Sequence, residues 1–246
     1  MNIKSILEKP FVYPALMLAG AFVIGSLIGG VFISKIRSGE DTLSSTGSAK
    51  MEVVSDIAKI NASFSRTVSE TELARGYELM KSDEAKVRAY LIKKGLVEAD
   101  FSILPISLSE RYDYGNTGAQ VKKYDLRQEV RIQSGDIAKI GEVANDSGQL
   151  INSGILFQSY GVQYFYSKLA EARVQLMAEA VKDAKVRAKE IAKGAGGTVG
   201  KLLSASSGVV QVLAPNSLEI SDYGSYDTST PEKEIMVTVR ATFKAR

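Results

Sequence analysis

The stretch SKLAEARVQLMAEAVKDAKVRAKEIAKGAGG, residues 167–197, decides how this chain is built. Leu169, Ala172, Leu176, Ala180, Ala184, Ala188, Ile191 and Ala195 recur three or four apart, while Glu171, Arg173, Glu179, Lys182, Asp183, Lys185, Arg187 and Lys189 take most of the remaining surface. That period describes a long amphipathic helix with one buried stripe. Ser167 is the expected N-cap, Glu171 lies in the first turn, and Lys193 precedes Gly194, where a glycine can take the left-handed stop. Ala180, Ala184, Ala188 and Ala192 form one i+4 ridge, which lets the helix axis approach a sheet more closely than leucines would permit.

Outward from this helix the chain reads as strands and shorter helices. Residues 50–68 alternate, with Ala58, Ile60, Ala62 and Phe64 on one face, and Ser55 and Asp56 are the expected turn between two antiparallel strands. Residues 69–94 predict a helix capped by Ser69 or Thr71, carrying Leu73, Tyr77, Met80, Ala85, Val87, Leu91 and Ile92 inward, and stopped by Gly95. Residues 100–114 and 121–133 predict a hairpin, with Pro105 marking an edge or a bulge. A helix over 136–150, a strand over 154–166 and a strand over 199–213 follow. The closing strand, 234–244, points Ile235, Val237, Val239, Ala241 and Phe243 inward. The fold class is therefore α+β, an antiparallel-rich sheet with helices packed on it. The polar stretch 214–233, with two prolines and little periodicity, is expected to be a mobile loop.

The beginning of the chain differs in kind. After a polar segment at 1–10, residues 11–33 carry no charge. At about 1.5 Å per residue they span a hydrocarbon core of about 30 Å. No small-residue cleavage site follows, so 11–36 is expected to be an uncleaved transmembrane anchor, with 37–46 a tether and 47–246 the folded domain. Lys4 and Lys9 before the span balance Lys35 and Arg37 after it, which leaves orientation undecided by charge. Ala21, Gly25 and Gly29 are spaced by four and form a small-residue track suited to helix association.

The chain contains no cysteine and no histidine. Ser/His/Asp and Cys/His nucleophile systems, the usual zinc ligands and disulfides are thereby excluded. The net charge of +3 comes from cations interleaved with anions and does not point to nucleic acid. The glycines GAGGTVG at 194–200 follow a helix and precede a strand, the reverse of a phosphate loop, so they read as a C-cap turn. No catalytic, cofactor-binding or metal-ligating residue is assigned, and no cofactor is expected. Exposed tyrosines in two loops, Tyr112 with Tyr114 and Tyr223 with Tyr226, are the candidate contact positions.

Several particulars resemble the SIMPL-domain family over about 42–246. They are Gly47, SDIA at 55–58 where the family commonly has PDIA, Tyr112 and Tyr114, and Tyr124 where a Gly-Tyr pair is usual. Further along they are residues 154–157, Glu171 with Ala172, the block AVKDAKVRAKEIA at 180–192, and Gly200. Ser55 in place of proline and Lys123 in place of glycine depart from the pattern. The resemblance implies an extracytoplasmic location for bacterial members, a tendency to form homo-oligomeric rings, and no agreed catalytic residues. The expectation is a non-enzymatic, self-associating protein anchored in the inner or cytoplasmic membrane through 11–36, with a structural or envelope-stress role. Two alternatives stand beside it: a binding module working through the tyrosine-bearing loops, and an enzyme built on carboxylates or lysine such as Glu179, Asp183 and Lys185.

Overall fold

The computed structural model describes residues 12–37, 41–114, 120–217 and 221–246. Helix α1, Val12–Arg37, is followed by β1, Thr42–Val54, and β2, Ile57–Ser69. One 3-10 turn leads into α2, Leu73–Lys93; then come β3, Phe101–Ile103, β4, Ser107–Tyr114, and β5, Gln120–Ser134. Two short helices, α3 at Ile137–Asn145 and α4 at Gly148–Asn152, precede β6, Leu156–Phe165, and the long helix α5, Leu169–Gly194. The chain ends with β7, Val199–Leu213, β8, Ser225–Tyr226, and β9, Glu232–Ala245. Mixed helices and sheets make the fold α+β.

The strands form two sheets, one in the order β1-β9-β7-β8 and one in the order β3-β5-β2-β6 with β4 also paired to β5. The expected turn at Ser55 and Asp56 is corrected by this topology, because β1 and β2 belong to different sheets. The physical reason lies in the backbone: the Ser55 N–H donates to the Pro231 carbonyl at 2.8 Å and the Asp56 N–H to the Phe165 carbonyl at 3.0 Å. Both amides are taken by distant segments, so these residues carry the chain from one sheet to the other. The departure from proline at 55 supplies the first of those donors, which a proline lacks.

By contacts the chain falls into two compact units. The first unit comprises Met1–Gly47, Val181–Ser206 and Val239–Arg246. Its core is small: Ala184 and Ala188 of α5 lie with Ala241 and Phe243 of β9, all 1% exposed or less, with Leu43 and Val199 packed against them. The alanine ridge is thus close packing inside the domain, as the sequence predicts. Helix α5 stops with Gly196 at φ +77° and the Gly197 N–H donating to the Ala192 carbonyl at 2.8 Å, and a strand follows, which agrees with a C-cap reading of the glycines.

The second unit comprises Ser48–Ala180 and Ser207–Thr238. Its core joins the alternating face of β2, Ala58, Ile60, Ala62 and Phe64, to Leu126, Val130 and Ile132 of β5 and to Met80, Val87 and Leu91 of α2. Strands β2 and β5 pair antiparallel over twelve residues, from Ala58 opposite Ser134 to Ser69 opposite Lys123. The partner edge breaks at Pro105, between Ile103 opposite Val130 and Ser107 opposite Arg127, as expected for a residue without an N–H. On α2 the inward face runs Gly76, Met80, Asp83, Val87, Tyr90 and Leu91. Ala85 and Ile92, expected inside, are exposed. The buried Asp83 explains the slip, because hydrophobicity alone gave no reason to place a carboxylate inward. It is 2% exposed and receives two hydrogen bonds from Arg66 of β2, one of them Nη2 to Oδ1 at 2.9 Å.

Two further expectations are corrected on α5. The buried positions are Ala172, Leu176, Ala180, Ala184, Ala188 and Ala192, a strict four-residue row, while Ile191 is 53% exposed and Ala195 is exposed. Ser167 is not the acceptor of an N-cap. Its N–H and hydroxyl both donate to the Asp56 carboxylate, at 2.7 and 2.6 Å, so the residue before the helix is held by an aspartate more than a hundred positions earlier.

On α1, the described side chains are Pro14 and residues 17–28, and all of them are exposed. Met17 and Phe22 are each 79% exposed, and Leu18, Val23, Ile24, Leu27 and Ile28 are likewise bare. Among the described residues no helix is long and apolar enough to cross a membrane. The described side chains of α1, Pro14 and residues 17–28, are fewer than the roughly 20 residues such a crossing needs.

Candidate functional site

Of the residues singled out by sequence, Tyr112 stands on β4, opposite Lys122 of β5, and not in a loop. Its hydroxyl donates to Glu110 Oε2 at 3.0 Å, and Lys122 reaches the other oxygen of that carboxylate at 2.7 Å. The bond to Glu110 pushes the Tyr112 phenol above its ordinary range, and Lys122 and Tyr112 together hold Glu110 below its own. On the opposite face, Asp113 is paired with Lys123 at 2.8 Å and Arg111 at 2.9 Å, so Lys123, where the family has glycine, has a cross-strand partner. Tyr114 ends β4 opposite Gln120, and only its backbone placement is described. Residues 115–119 of the expected loop lie outside the described residues.

The second tyrosine group separates into two environments. Tyr226 is part of β8; its oxygen accepts from the Tyr166 N–H at 2.8 Å, and its ring lies 5.8 Å from that of Phe165. Tyr223 is 96% exposed. The strand pairing of Tyr226 with Val212 of β7, and the hydrogen bond to Tyr166, could not be read locally. Beside them Asp227 accepts from the Ser229 and Thr230 hydroxyls at 2.9 and 3.1 Å and from Lys233 at 3.1 Å, whose side chain is fully buried. Burial pushes the Asp227 carboxyl upward, but the hydrogen bonds from Ser229, Lys233 and Thr230 outweigh it and hold it at about 2. The Asp227 carboxylate thus ties Ser229, Thr230 and Lys233 together, while residues 218–220 of the stretch expected to be mobile lie outside the described residues.

On α1, Ala21 and Gly25 are exposed, and a side chain added at Gly25 would meet nothing within 4 Å. The surroundings of Gly29 lie outside the described residues. Among the described residues no three histidines, cysteines, aspartates or glutamates gather closely enough to hold a metal ion. Glu179 and Asp183, weighed as enzyme groups, are engaged on the helix surface: Gln175 donates to Glu179 at 3.1 Å and Arg187 to Asp183 at 2.8 Å.

One concavity was not foreseen. A groove of about 580 Å³ in the second unit has β7 residues Ser207, Gly208, Val209 and Gln211 along one side. Met236 and Thr238 of β9, Arg173 of α5, and Ser221 with Asp222 next to Tyr223 complete it. Gly208 is needed there, since a Cβ at that position would fall 2.5 Å from Thr238 Oγ1. Gln211 is 3% exposed; its amide donates to the Ser221 carbonyl at 2.5 Å, while its Oε1 has no partner among the described residues. An acceptor buried without a partner costs about 1–3 kcal/mol, and this one is sealed from solvent. The groove is assembled from four segments spread over residues 173–238, and only the neighbouring tyrosines gave a signal in the sequence.

No curated protein is similar enough to this chain to count as a relative. The profile of the SIMPL family, described as a protein of unknown function (DUF541), matches residues 43–243. Asp56 of the SDIA motif holding Ser167, and the buried alanines of the block at 180–192, are the particulars that motif and block contribute to the fold. The chain belongs to the SIMPL family.

Proposed function

We propose that this SIMPL-domain chain is a membrane-anchored, self-associating extracytoplasmic protein with a non-enzymatic structural or envelope-stress role. The observation that carries the anchor is the surface of α1, where every described side chain is exposed and large apolar groups from Met17 to Ile28 lack any covering. A helix that is apolar all round requires a covering, and a bilayer supplies one. In this reading 11–36 spans the membrane, residues beyond it form the tether, and Ala21, Gly25 and Gly29 form the face on which two anchors associate. The outward orientation rests on the family resemblance, since the flanking charges balance. The non-enzymatic role rests on the missing cysteine and histidine and on the carboxylates and lysines already engaged with partners.

Because the chain has no cysteine, Ser48→Cys on exposed β1 provides a single reporter. A membrane-impermeant maleimide is expected to label it in intact cells. Labelling only after lysis would reverse the orientation. Mass measurement of the detergent-solubilised chain checks self-association, and a strictly monomeric mass would remove that part of the proposal.

A second reading, a binding module beside the tyrosine-bearing segment, is favoured by the groove next to Tyr223.

A further inference from the structure

We infer, resting on the membrane-anchored reading, that a lysine stripe on α5 docks on the anionic phospholipid headgroups of the membrane that holds α1. Charge is divided unevenly between the two units. From residue 41 onward the first unit carries nine Lys and Arg against three Asp and Glu, a net charge of +6. The second unit carries eighteen against twenty-three, a net charge of −5, so the modest +3 of the whole chain conceals a strongly basic part. A field of one sign over one part of a surface draws a partner of the other sign.

The cations of the first unit are ordered as well as numerous. Lys182, Lys185, Lys189 and Lys193 follow one another at three- and four-residue steps, so they share one face of α5 over about 16 Å. All four are exposed, and none has a carboxylate partner among the described residues; the neighbouring Asp183 goes to Arg187. Lys185, Lys189 and Lys193 stand at i, i+4 spacing, where like charges repel and weaken a helix. A glutamate at the middle position would turn that repulsion into attraction, so the stability of α5 does not account for the row, and an anion outside the chain does. The tether decides which anion is at hand. From Arg37, the last residue of α1, to Leu43 the chain takes six steps, at most about 22 Å. Leu43 packs against Ala184 and Ala188, in the same stretch of α5 as the lysines, and a helix with its side chains is about 10–12 Å across. With α1 seated in lipid, the chain itself therefore holds the stripe within reach of the headgroup layer. Lysines there are attracted to an anionic leaflet within about a Debye length, about 8 Å at physiological salt.

Val186→Cys, at a position 58% exposed and next to Lys185, gives the cysteine-free chain a single thiol for a polarity-sensitive dye. The labelled full chain is reconstituted in vesicles of phosphatidylcholine, and in vesicles of phosphatidylcholine with phosphatidylglycerol. A blue shift of the emission is expected with phosphatidylglycerol and not with phosphatidylcholine alone. Salt at about 1 M, where the Debye length is about 3 Å, should remove the shift. Replacing all four lysines by Gln should abolish it, and replacing all four by Arg, which keeps the charge, should retain it. The proposal is overturned by equal emission in the two kinds of vesicle, by a shift that survives in the Gln variant, or by loss of the shift in the Arg variant. A shift in phosphatidylcholine that grows with the amount of protein per vesicle would assign the lysines to the negative unit of a second copy, and would overturn it too. Flotation with phosphatidylcholine vesicles at about 1 M salt reports on α1 separately. A chain that floats without the lipid-dependent shift loses this inference alone, and a chain that does not float loses the anchor and the inference together.

Discussion

Helices α1 and α5 have the same length, 26 residues each, and opposite surfaces. In α5 a single row, five alanines and Leu176, is buried within the chain and the remaining surface is mostly charged, with Val174, Val186 and Ile191 left exposed. In α1 the described apolar side chains face outward on all sides. Length and helical propensity therefore decide that both are helices, and the distribution of apolar groups decides what must cover them. One helix takes its covering from within the chain; the other needs it from outside.

The largest expected effect tests the inner covering. Leu176 is fully buried on α5, and Leu176→Ala should lower stability by about 2–5 kcal/mol, read as an earlier thermal unfolding midpoint. An unchanged midpoint would mean that the row does not pack as described. Next, Ile24→Arg places a charge in the middle of α1, where it opposes membrane insertion by about 2.5–3.5 kcal/mol. The variant should move from the membrane fraction toward the soluble fraction, and unchanged retention would count against lipid as the covering.

Ala184→Leu sharpens the contrast from the other side, because it makes α5 locally resemble a bulkier helix. Ala184 lies in a cluster with Ala241 and Phe243, and overpacking there should cost about 1–3 kcal/mol. If the oligomer dissociated while the midpoint of unfolding stayed in place, the ridge would instead face another subunit.

The smallest effect concerns the start of α5. Burial raises the Asp56 carboxyl, but the hydrogen bonds from the side chain and backbone of Ser167 outweigh it and hold the group below its ordinary 3.8. A depressed carboxyl adds stability that is fully present above pH 3.8 and is lost as pH falls through its lower folded value. Asp56→Ala should cost about 1 kcal/mol at neutral pH, as the loss of a capping acceptor does. Its stability should then vary less with pH below that point, and an identical acid profile would remove Asp56 from this role.

Much of this was legible in the chain because it is periodic. The alternation at Ala58, Ile60, Ala62 and Phe64, the inward face of β9 and the four-residue alanine row all follow from spacing, and all are buried. Ile191 misled because a helix stripe usually widens to three- and four-residue steps, whereas here the contact is one residue wide. Distant partners were not legible at all. Ser55 and Asp56 look like a tight turn until Pro231 and Phe165 take their amides, and the groove exists only once Arg173, Gln211 and Asp222 are brought together. Tyr112 was assigned to a loop because the stretch 112–120 carries the glycines and asparagine of a hairpin turn; the pairing of β4 with β5, with Glu110 bridged to Lys122 and Asp113 to Lys123, makes Tyr112 part of a strand.

The contrast between the two helices is tested most directly by alkaline extraction of membranes from cells carrying the full chain, beside a variant lacking residues 11–36. The account predicts that the full chain stays in the membrane pellet and the shortened one is released. Release of the full chain at alkaline pH would contradict it, and α1 would then need a protein, not a bilayer, to cover its apolar surface.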